Sequence, residues 1–243
     1  MSFDDPASYG EAWAPIYDET FVECPPELLD LLADLAGDGR VLELAIGTGR
    51  IALPLAARGV QVEGVDASPS MVERLRAKPG GDEIPVVIGD MADPPVSGPF
   101  RLIFVAFNTL FALQSQDRQI DCFISAARIL QPGGSFVVEC LVPDVARFDR
   151  GQRVDARVVT EDSISLDVSR HDPVQQRVIS QVVTLNGQGG HGLYPVAIRY
   201  AWPSELDLMA RLAGLERVER YGDWDQRPFA SESGKHVTIY RKP

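Results

Sequence analysis

Apolar residues recur along the first 150 positions with two alternating periods. Leu28, Leu31, Leu32 and Leu35 fall at i, i+3, i+4 and i+7, which predicts an amphipathic helix after Pro25-Pro26. A short strand follows from Arg40 to Ala45, then a glycine turn and a helix through Ala57 that ends at Gly59. Val60 to Val65 reads as the next strand. Ser68-Pro69 supplies an N-cap with Pro at the first helical position and opens a helix through Lys78. Ile84 to Ile88 and Phe100 to Phe107 are short apolar runs, the pattern of strands buried on both faces. Ile120, Phe123, Ile124 and Ala127 form a further helical stripe, closed by Pro132-Gly133-Gly134, and Ser135 to Leu141 reads as a fifth strand. This alternation implies an α/β fold with right-handed crossovers and a parallel sheet covered on both faces.

The pattern changes after Arg150. Ile164, Leu166 and Val168 alternate with polar residues, and Val178 to Leu185 and Val196 to Tyr200 are also strand-like. His171-Asp172-Pro173 and Asn186-Gly187 signal turns. The expectation is a single domain over residues 1–243, with antiparallel strands inserted at about 150–201. A last helix is predicted from Ser204, with Asp207 at its third position and Leu206, Met209, Ala210 and Ala213 on its apolar side. Glu216 to Tyr221 and His236 to Arg241 have no helix between them, so they are expected to pair antiparallel.

Charge narrows the partners. The 243 residues carry 23 Lys and Arg against 35 Asp and Glu, a net −12. That disfavours nucleic acid or an anionic membrane, both of which need a basic face. Three widely spaced cysteines, Cys24, Cys122 and Cys140, make neither a disulfide framework nor a Cys-rich metal site, and they fit a cytoplasmic location. The opening MSFDDPASYG is too acidic for a secretory leader, and no apolar run is long enough to span a bilayer.

The chemistry concentrates in VLELAIGTGRIALPLAARGVQVEGVD, residues 41–66. A strand enters Gly47-Thr48-Gly49, a helix follows, and a second strand ends in Asp66. Asp66 at a strand's carboxyl end can accept both hydrogen bonds of a ribose diol. Two cofactors could use this geometry. Gly47-x-Gly49-x-x-Ala52 imitates a dinucleotide fingerprint, which would make the protein an NAD-dependent oxidoreductase. Against it, the third glycine is absent, Glu43 would sit unpartnered inside a buried strand, and the chain closes on an antiparallel pair.

In the other register Glu43 ends the strand, and Ala45, Gly47 and Gly49 form the loop. Here the sequence resembles the class I S-adenosylmethionine-dependent methyltransferases. The motifs are LELAIGTGR, GVDAS, GDMAD, FNTLF and LQPGG, in order and at the family's spacing. Ala45 departs from the family's first glycine. The resemblance implies a Rossmann-like, seven-stranded, mostly parallel sheet with a final antiparallel hairpin. It implies S-adenosylmethionine as cofactor and S-adenosylhomocysteine as product, with no metal. Glu43 would meet the ammonium, Gly47 and Gly49 would admit the amino-acid tail, and Asp66 would hold the ribose. Asp90 and Met91 would read the adenine, lined by Ala67 and Met71, while Asn108 would contact the tail. Tyr9 and Tyr17 belong to an N-terminal segment that covers the cofactor in related small-molecule enzymes.

The expected acceptor is a small molecule methylated at O, N or C. His171 and Glu139 are the candidate bases, and Arg199 and Tyr200 the candidate substrate contacts. The inserted strands resemble the lid or dimerisation platform of amino-sugar N-methyltransferases, so a homodimer is a further expectation. A non-catalytic S-adenosylmethionine-binding protein is the remaining alternative.

Overall fold

The computed structural model describes residues 3, 5–22 and 24–243. The first strands are β1 (Val41–Leu44), β2 (Val62–Asp66), β3 (Val86–Ile88), β4 (Phe100–Val105) and β5 (Leu130–Leu141). Then come β6 (Gln152–Val159), β7 (Ser163–Asp172), β8 (Arg177–Asn186) and β9 (His191–Arg199), followed by β10 (Glu216–Tyr221) and β11 (Lys235–Arg241). The helices are α1 (Ser8–Trp13), α2 (Tyr17–Thr20), α3 (Pro26–Ala36), α4 (Ala52–Ala57), α5 (Pro69–Arg76), α6 (Gln116–Ile129) and α7 (Pro203–Leu212).

Seven strands form one sheet in the order β10-β11-β5-β4-β1-β2-β3. The pairs β1–β2, β1–β4, β2–β3 and β4–β5 are parallel, and β11 runs antiparallel to both β5 and β10. The strand order reverses between β1 and β4, the point at which open sheets of this kind form a crevice beyond the carboxyl ends of the strands. The period-2 pattern divides the core. Val41, Leu102, Phe104 and Val137 face the side of α3, α4 and α5, while Leu42, Ile103, Phe136 and Val138 face the side of α6 and α7. Glu43 shares the face of Val41, so a carboxylate is carried into an apolar layer.

Several boundaries differ from the sequence pattern. The stripe of α6 stops at Ile129, and Leu130 already pairs with Phe100. Lys242, just beyond β11, donates to the carbonyls of Ala127 and Leu130 at 2.7 Å each and closes the helix early. β3 is a sheet edge rather than a strand buried on both faces, with Val87 40% and Ile88 49% exposed. β4 ends at Val105, and Phe107 lies in the turn beyond it. Pro203, not Ser204, opens α7, and Asp207 bonds Arg220 and Tyr240 instead of capping the helix.

The second sheet is the antiparallel meander β6-β7-β8-β9. β6 went unread in the sequence, and β9 begins five residues before the predicted strand. Val182, Tyr194 and Val196 pack on Trp13 of α1, and Val178 and Ile198 pack on the main core. One face of the meander therefore covers the carboxyl edge of the large sheet.

The closing strand buries His236 completely, with Nδ1 2.8 Å from the Thr238 hydroxyl and Nε2 without a partner. Burial, aided by the Arg220 charge, pushes its pKa down to about 3. In the unfolded chain it sits near ~6.5. Between these values only the unfolded chain binds the proton, so stability is full above the upper value and falls as pH drops through the window. Acidification to pH ~5 should destabilise the wild type by about 2 kcal/mol through this residue. Urea unfolding at the two pH values should show a smaller loss in His236→Gln.

Candidate functional site

The crevice is built from a loop that bends back on itself. Ala45, Gly47 and Gly49 have φ of +58°, +57° and +78°. Alanine tolerates the left-handed region at a modest penalty, so Ala45 can stand where a glycine is usual. A side chain at Gly49 would lie 2.2 Å from the Leu75 side chain, so only glycine brings the loop onto α5 there.

Two acidic residues flank this loop. Asp66 Oδ2 accepts from the Gly47 N–H at 2.7 Å, and Oδ1 from the Ser68 N–H at 2.8 Å. The Ala67 N–H is a third backbone donor to this carboxylate, which has about four acceptor positions, so room for a ligand hydroxyl remains. Burial raises the Asp66 pKa against these backbone bonds. Glu43 is 5% exposed and accepts from the Ala52 N–H, but its Oε2 is buried without a partner. Burial holds its pKa well above the ordinary value, although the Arg50 charge pulls it down. An orphaned buried carboxylate oxygen fits a cationic ligand group, because leaving such an oxygen unpaired is costly. The donor set thus fits the ammonium and ribose of S-adenosylmethionine.

Arg50, which sequence reasoning missed, follows the loop. It hydrogen-bonds the Tyr17 hydroxyl and lies 4.9 Å from the Phe107 ring centroid. Burial pushes up the hydroxyl pKa values of both Tyr17 and Tyr9, whose neighbours include Arg50. Arg50 and the Tyr17 phenol therefore converge near Glu43, with Tyr9 beside them, an arrangement that can hold a carboxylate.

The N-terminal segment is fixed over the crevice by polar contacts that leave no short-range trace. Glu11 accepts from the Ser68 hydroxyl at 2.7 Å, the Ser70 N–H at 3.1 Å and the Ser70 hydroxyl at 2.5 Å. These bonds lower its pKa. Asp18 accepts from the Thr48 hydroxyl at 2.6 Å and from Lys78 at 2.7 Å. Gly10 allows the close approach, since a Cβ there would lie 2.4 Å from that of Ser68. On its other side α1 stacks Tyr9 on Trp13, whose Nε1 donates to the Pro195 carbonyl at 3.1 Å. Met71 is buried in this cluster with Trp13 and Val182, while Ala67 lies half-buried before the Ser68 cap.

Asp90 accepts from the Ala92 N–H at 2.8 Å and pairs with Arg118 of α6. Met91 follows, half-buried against the core. Across the crevice, Phe107 and Asn108 both adopt positive φ, +59° and +65°. Glu139 holds this strained turn. Its Oε2 accepts from the Phe107 N–H at 2.7 Å and its Oε1 faces Lys235 at 3.4 Å. Asn108 Oδ1 accepts from the Leu141 N–H at 2.5 Å. Glu139, the expected base, thus carries one contact on each oxygen, to the turn and to β11.

The substrate candidates also find internal partners. Arg199 is 5% exposed and donates to Gln119, Gln176 and Glu205 at 2.6–2.9 Å, so it clamps β9 to α6 and α7 instead of facing a ligand. Tyr200 is buried, and its hydroxyl lies 2.9 Å from His171 Nε2. The His171 ring stacks on Phe148 at 4.6 Å. His171 and Tyr200 thus form one unit on the covered side of the meander, apart from Glu139. Among the described residues no group of three His, Cys, Asp or Glu side chains could hold a metal ion.

Comparisons with known proteins bear on the family and the fold. A methyltransferase-domain family profile matches residues 41–134. The cypemycin N-terminal methyltransferase of a Streptomyces species is 30% identical over 93% of this chain and 98% of its own. The CcbJ methyltransferase from Streptomyces caelestis superposes with a TM-score of 0.92 and 42% identity, over 98% of this chain and 99% of that one. The S-adenosylmethionine-bound amino pentose methyltransferase CalS10 from Micromonospora echinaspora shares the fold, with a TM-score of 0.67 and 20% identity over 100% and 98% of the two chains.

The Glu11 contacts can be tested directly. Glu11→Ala removes all three hydrogen bonds and should weaken S-adenosylhomocysteine binding roughly tenfold, the scale of one or two bonds to a charged group. Glu11→Gln keeps an acceptor oxygen and should lose less. Titration calorimetry reads both, with exposed Glu216→Ala on the edge strand β10 as the unaffected control.

Proposed function

The chain belongs to the class I S-adenosylmethionine-dependent methyltransferases, and from that premise we propose that its acceptor is an amine nitrogen of a small molecule. S-adenosylmethionine is the cofactor, and when bound it supplies a methyl group carried on an electrophilic sulfonium. The nicotinamide and non-catalytic alternatives give way to this membership.

The cofactor reading rests on the orphaned Glu43 oxygen beside the glycine loop. Glu43 would receive the ammonium, with Ala45, Gly47 and Gly49 bringing backbone close to the amino-acid tail. Arg50, Tyr9 and Tyr17 would hold its carboxylate, and Asn108 would shape the wall beside it. Asp66 would take the ribose, and Asp90 and Met91 the adenine, with Ala67 and Met71 behind. The meander, α1 and the Phe107-Asn108 turn would exclude water from the reacting atoms, which favours displacement at an aligned centre.

The choice of nitrogen rests on what the candidate bases already hold. Glu139 bonds the Phe107 N–H and faces Lys235, and His171 is bonded to Tyr200. A neutral amine brings its own lone pair and loses its proton afterwards to water, whereas an alcohol needs a base. The cypemycin enzyme is named for an N-terminus and CalS10 for an amino pentose, which supports the same atom. The net −12 argues against a nucleic-acid acceptor. Free thiols at Cys24, Cys122 and Cys140 favour a cytoplasmic location, and no described helix is long and apolar enough to cross a membrane.

Deuterium-methyl-labelled S-adenosylmethionine, offered with matched panels of small amines, amino sugars, short peptides and their hydroxyl counterparts, tests the reading by mass spectrometry. The label should appear on amines, and kcat/KM should rise with pH toward the acceptor's own pKa. Labelling confined to hydroxyl or carbon positions would refute it.

A further inference from the structure

The closing hairpin reaches the wall of the crevice through one lysine. Lys235 begins β11 opposite Leu141, and Val237 stands opposite Glu139, so the lysine is the diagonal neighbour of that glutamate. Its Nζ lies 3.4 Å from Glu139 Oε1 and 2.5 Å from Asp223 Oδ1. Asp223 is itself held in place. It pairs with Arg227 at 2.6 Å and precedes Trp224, which is buried in the core on the α3 side. An anchored ammonium therefore stands beside a carboxylate that is only 7% exposed. Among the described residues it is the one cation paired with Glu139.

From Glu139 the contacts run on to the glycine loop. Its side chain takes the Phe107 N–H at 2.7 Å, its carbonyl takes the Asn108 N–H at 3.2 Å, and Asn108 Oδ1 takes the Leu141 N–H at 2.5 Å. These bonds keep Phe107 at φ +59°, a conformation rare for a bulky residue. The core gains little from the ring, which is 39% exposed. What the ring does meet is Phe21, edge to face at 5.1 Å, and the Arg50 guanidinium at 4.9 Å. An aromatic face attracts a guanidinium placed over it and so narrows the directions it can take. Arg50 rests on this ring and bonds the Tyr17 hydroxyl.

We propose that Lys235 and Glu139 are positioning residues for the amino-acid tail of the cofactor, acting through the Phe107 ring on Arg50. The proposal rests on the reading that Arg50 holds the tail carboxylate. Lys235 compensates the buried Glu139 charge, Glu139 fixes the turn, and the ring sets the guanidinium. Neither residue touches the ligand. Their influence falls on the tail and not on the nucleoside, whose expected partners Asp66, Asp90 and Met91 lie outside this chain of contacts. The hairpin that closes the large sheet thereby governs how firmly the tail is gripped.

Two ligands separate tail from nucleoside. S-adenosylhomocysteine and methylthioadenosine share the nucleoside and the thioether, and only the first carries the tail. In calorimetric titrations of the full chain, Lys235→Met should weaken S-adenosylhomocysteine about fivefold and leave methylthioadenosine unchanged, and Lys235→Arg should recover most of the loss. Arg50→Met should weaken S-adenosylhomocysteine by roughly tenfold or more. In that background Lys235→Met should cost nothing further, because no guanidinium remains for the ring to set. A lysine that merely stabilised the fold would weaken both ligands together and would add its loss to that of Arg50→Met. Either result overturns the proposal, as does unchanged S-adenosylhomocysteine binding in Lys235→Met while Arg50→Met loses it. Wild-type binding of both ligands by Arg50→Met would instead remove the reading of Arg50, and the proposal with it. Should Lys235→Met misfold, Phe107→Leu decides. It removes the ring face and should show the same tail-selective loss, absent in the Arg50→Met background, and a loss shared by both ligands would refute the proposal.

Discussion

A carboxylate placed where water cannot reach it organises this molecule. Glu43 sits near the end of a central strand, on the face that otherwise carries Val41 into an apolar layer. One of its oxygens has no partner, and burial resists its ionisation. A protein that only needed to be stable would place a valine there. The loop that follows, with three odd-numbered residues in succession at positive φ, turns the backbone beside this carboxylate, and its Gly47 N–H is held by Asp66. Arg50, Tyr17 and Asp66 surround the same space. The strand order reverses at this point, so the crevice is where a parallel sheet leaves backbone ends open to a ligand.

What encloses the crevice comes from far along the chain. α1 is held on one side by Glu11 to the start of α5, and on the other by Trp13 to β9. α2 is held by Asp18 to the glycine loop through Thr48. The start of α5 beside Asp66 and the meander that covers the crevice therefore share one short helix between them. Glu139 completes the opposite wall by fixing two successive left-handed residues, Phe107 and Asn108, whose strain a free loop would relieve.

The large sheet was legible in the sequence because burial on both faces makes continuous apolar runs, and because Gly49, Ser68-Pro69 and the closing strands punctuate them. The glycine loop was legible because backbone that must turn sharply restricts residue choice. Arg50, Glu11 and Asp18 were not. They act through partners tens of residues away, and a polar residue in a short helix looks like any solvated one. Arg199 misled for the opposite reason: an arginine among apolar strand residues suggests a ligand contact, and here Gln119, Gln176 and Glu205 consume it. The end of α6 was misplaced because Lys242, which caps it, lies more than a hundred residues away. β6 was missed because it is an edge strand, broken at Arg157 by a bulge and carrying charges between its valines.

The most direct test of this account is calorimetric titration with S-adenosylhomocysteine of the wild type, Glu43→Gln and Asp66→Ala. Glutamine keeps the shape of Glu43 and removes its charge. Both variants should remain folded and bind at least tenfold more weakly, about 1.4 kcal/mol each. Wild-type affinity in Glu43→Gln would contradict the account, because the buried carboxylate would then answer to something other than the cofactor.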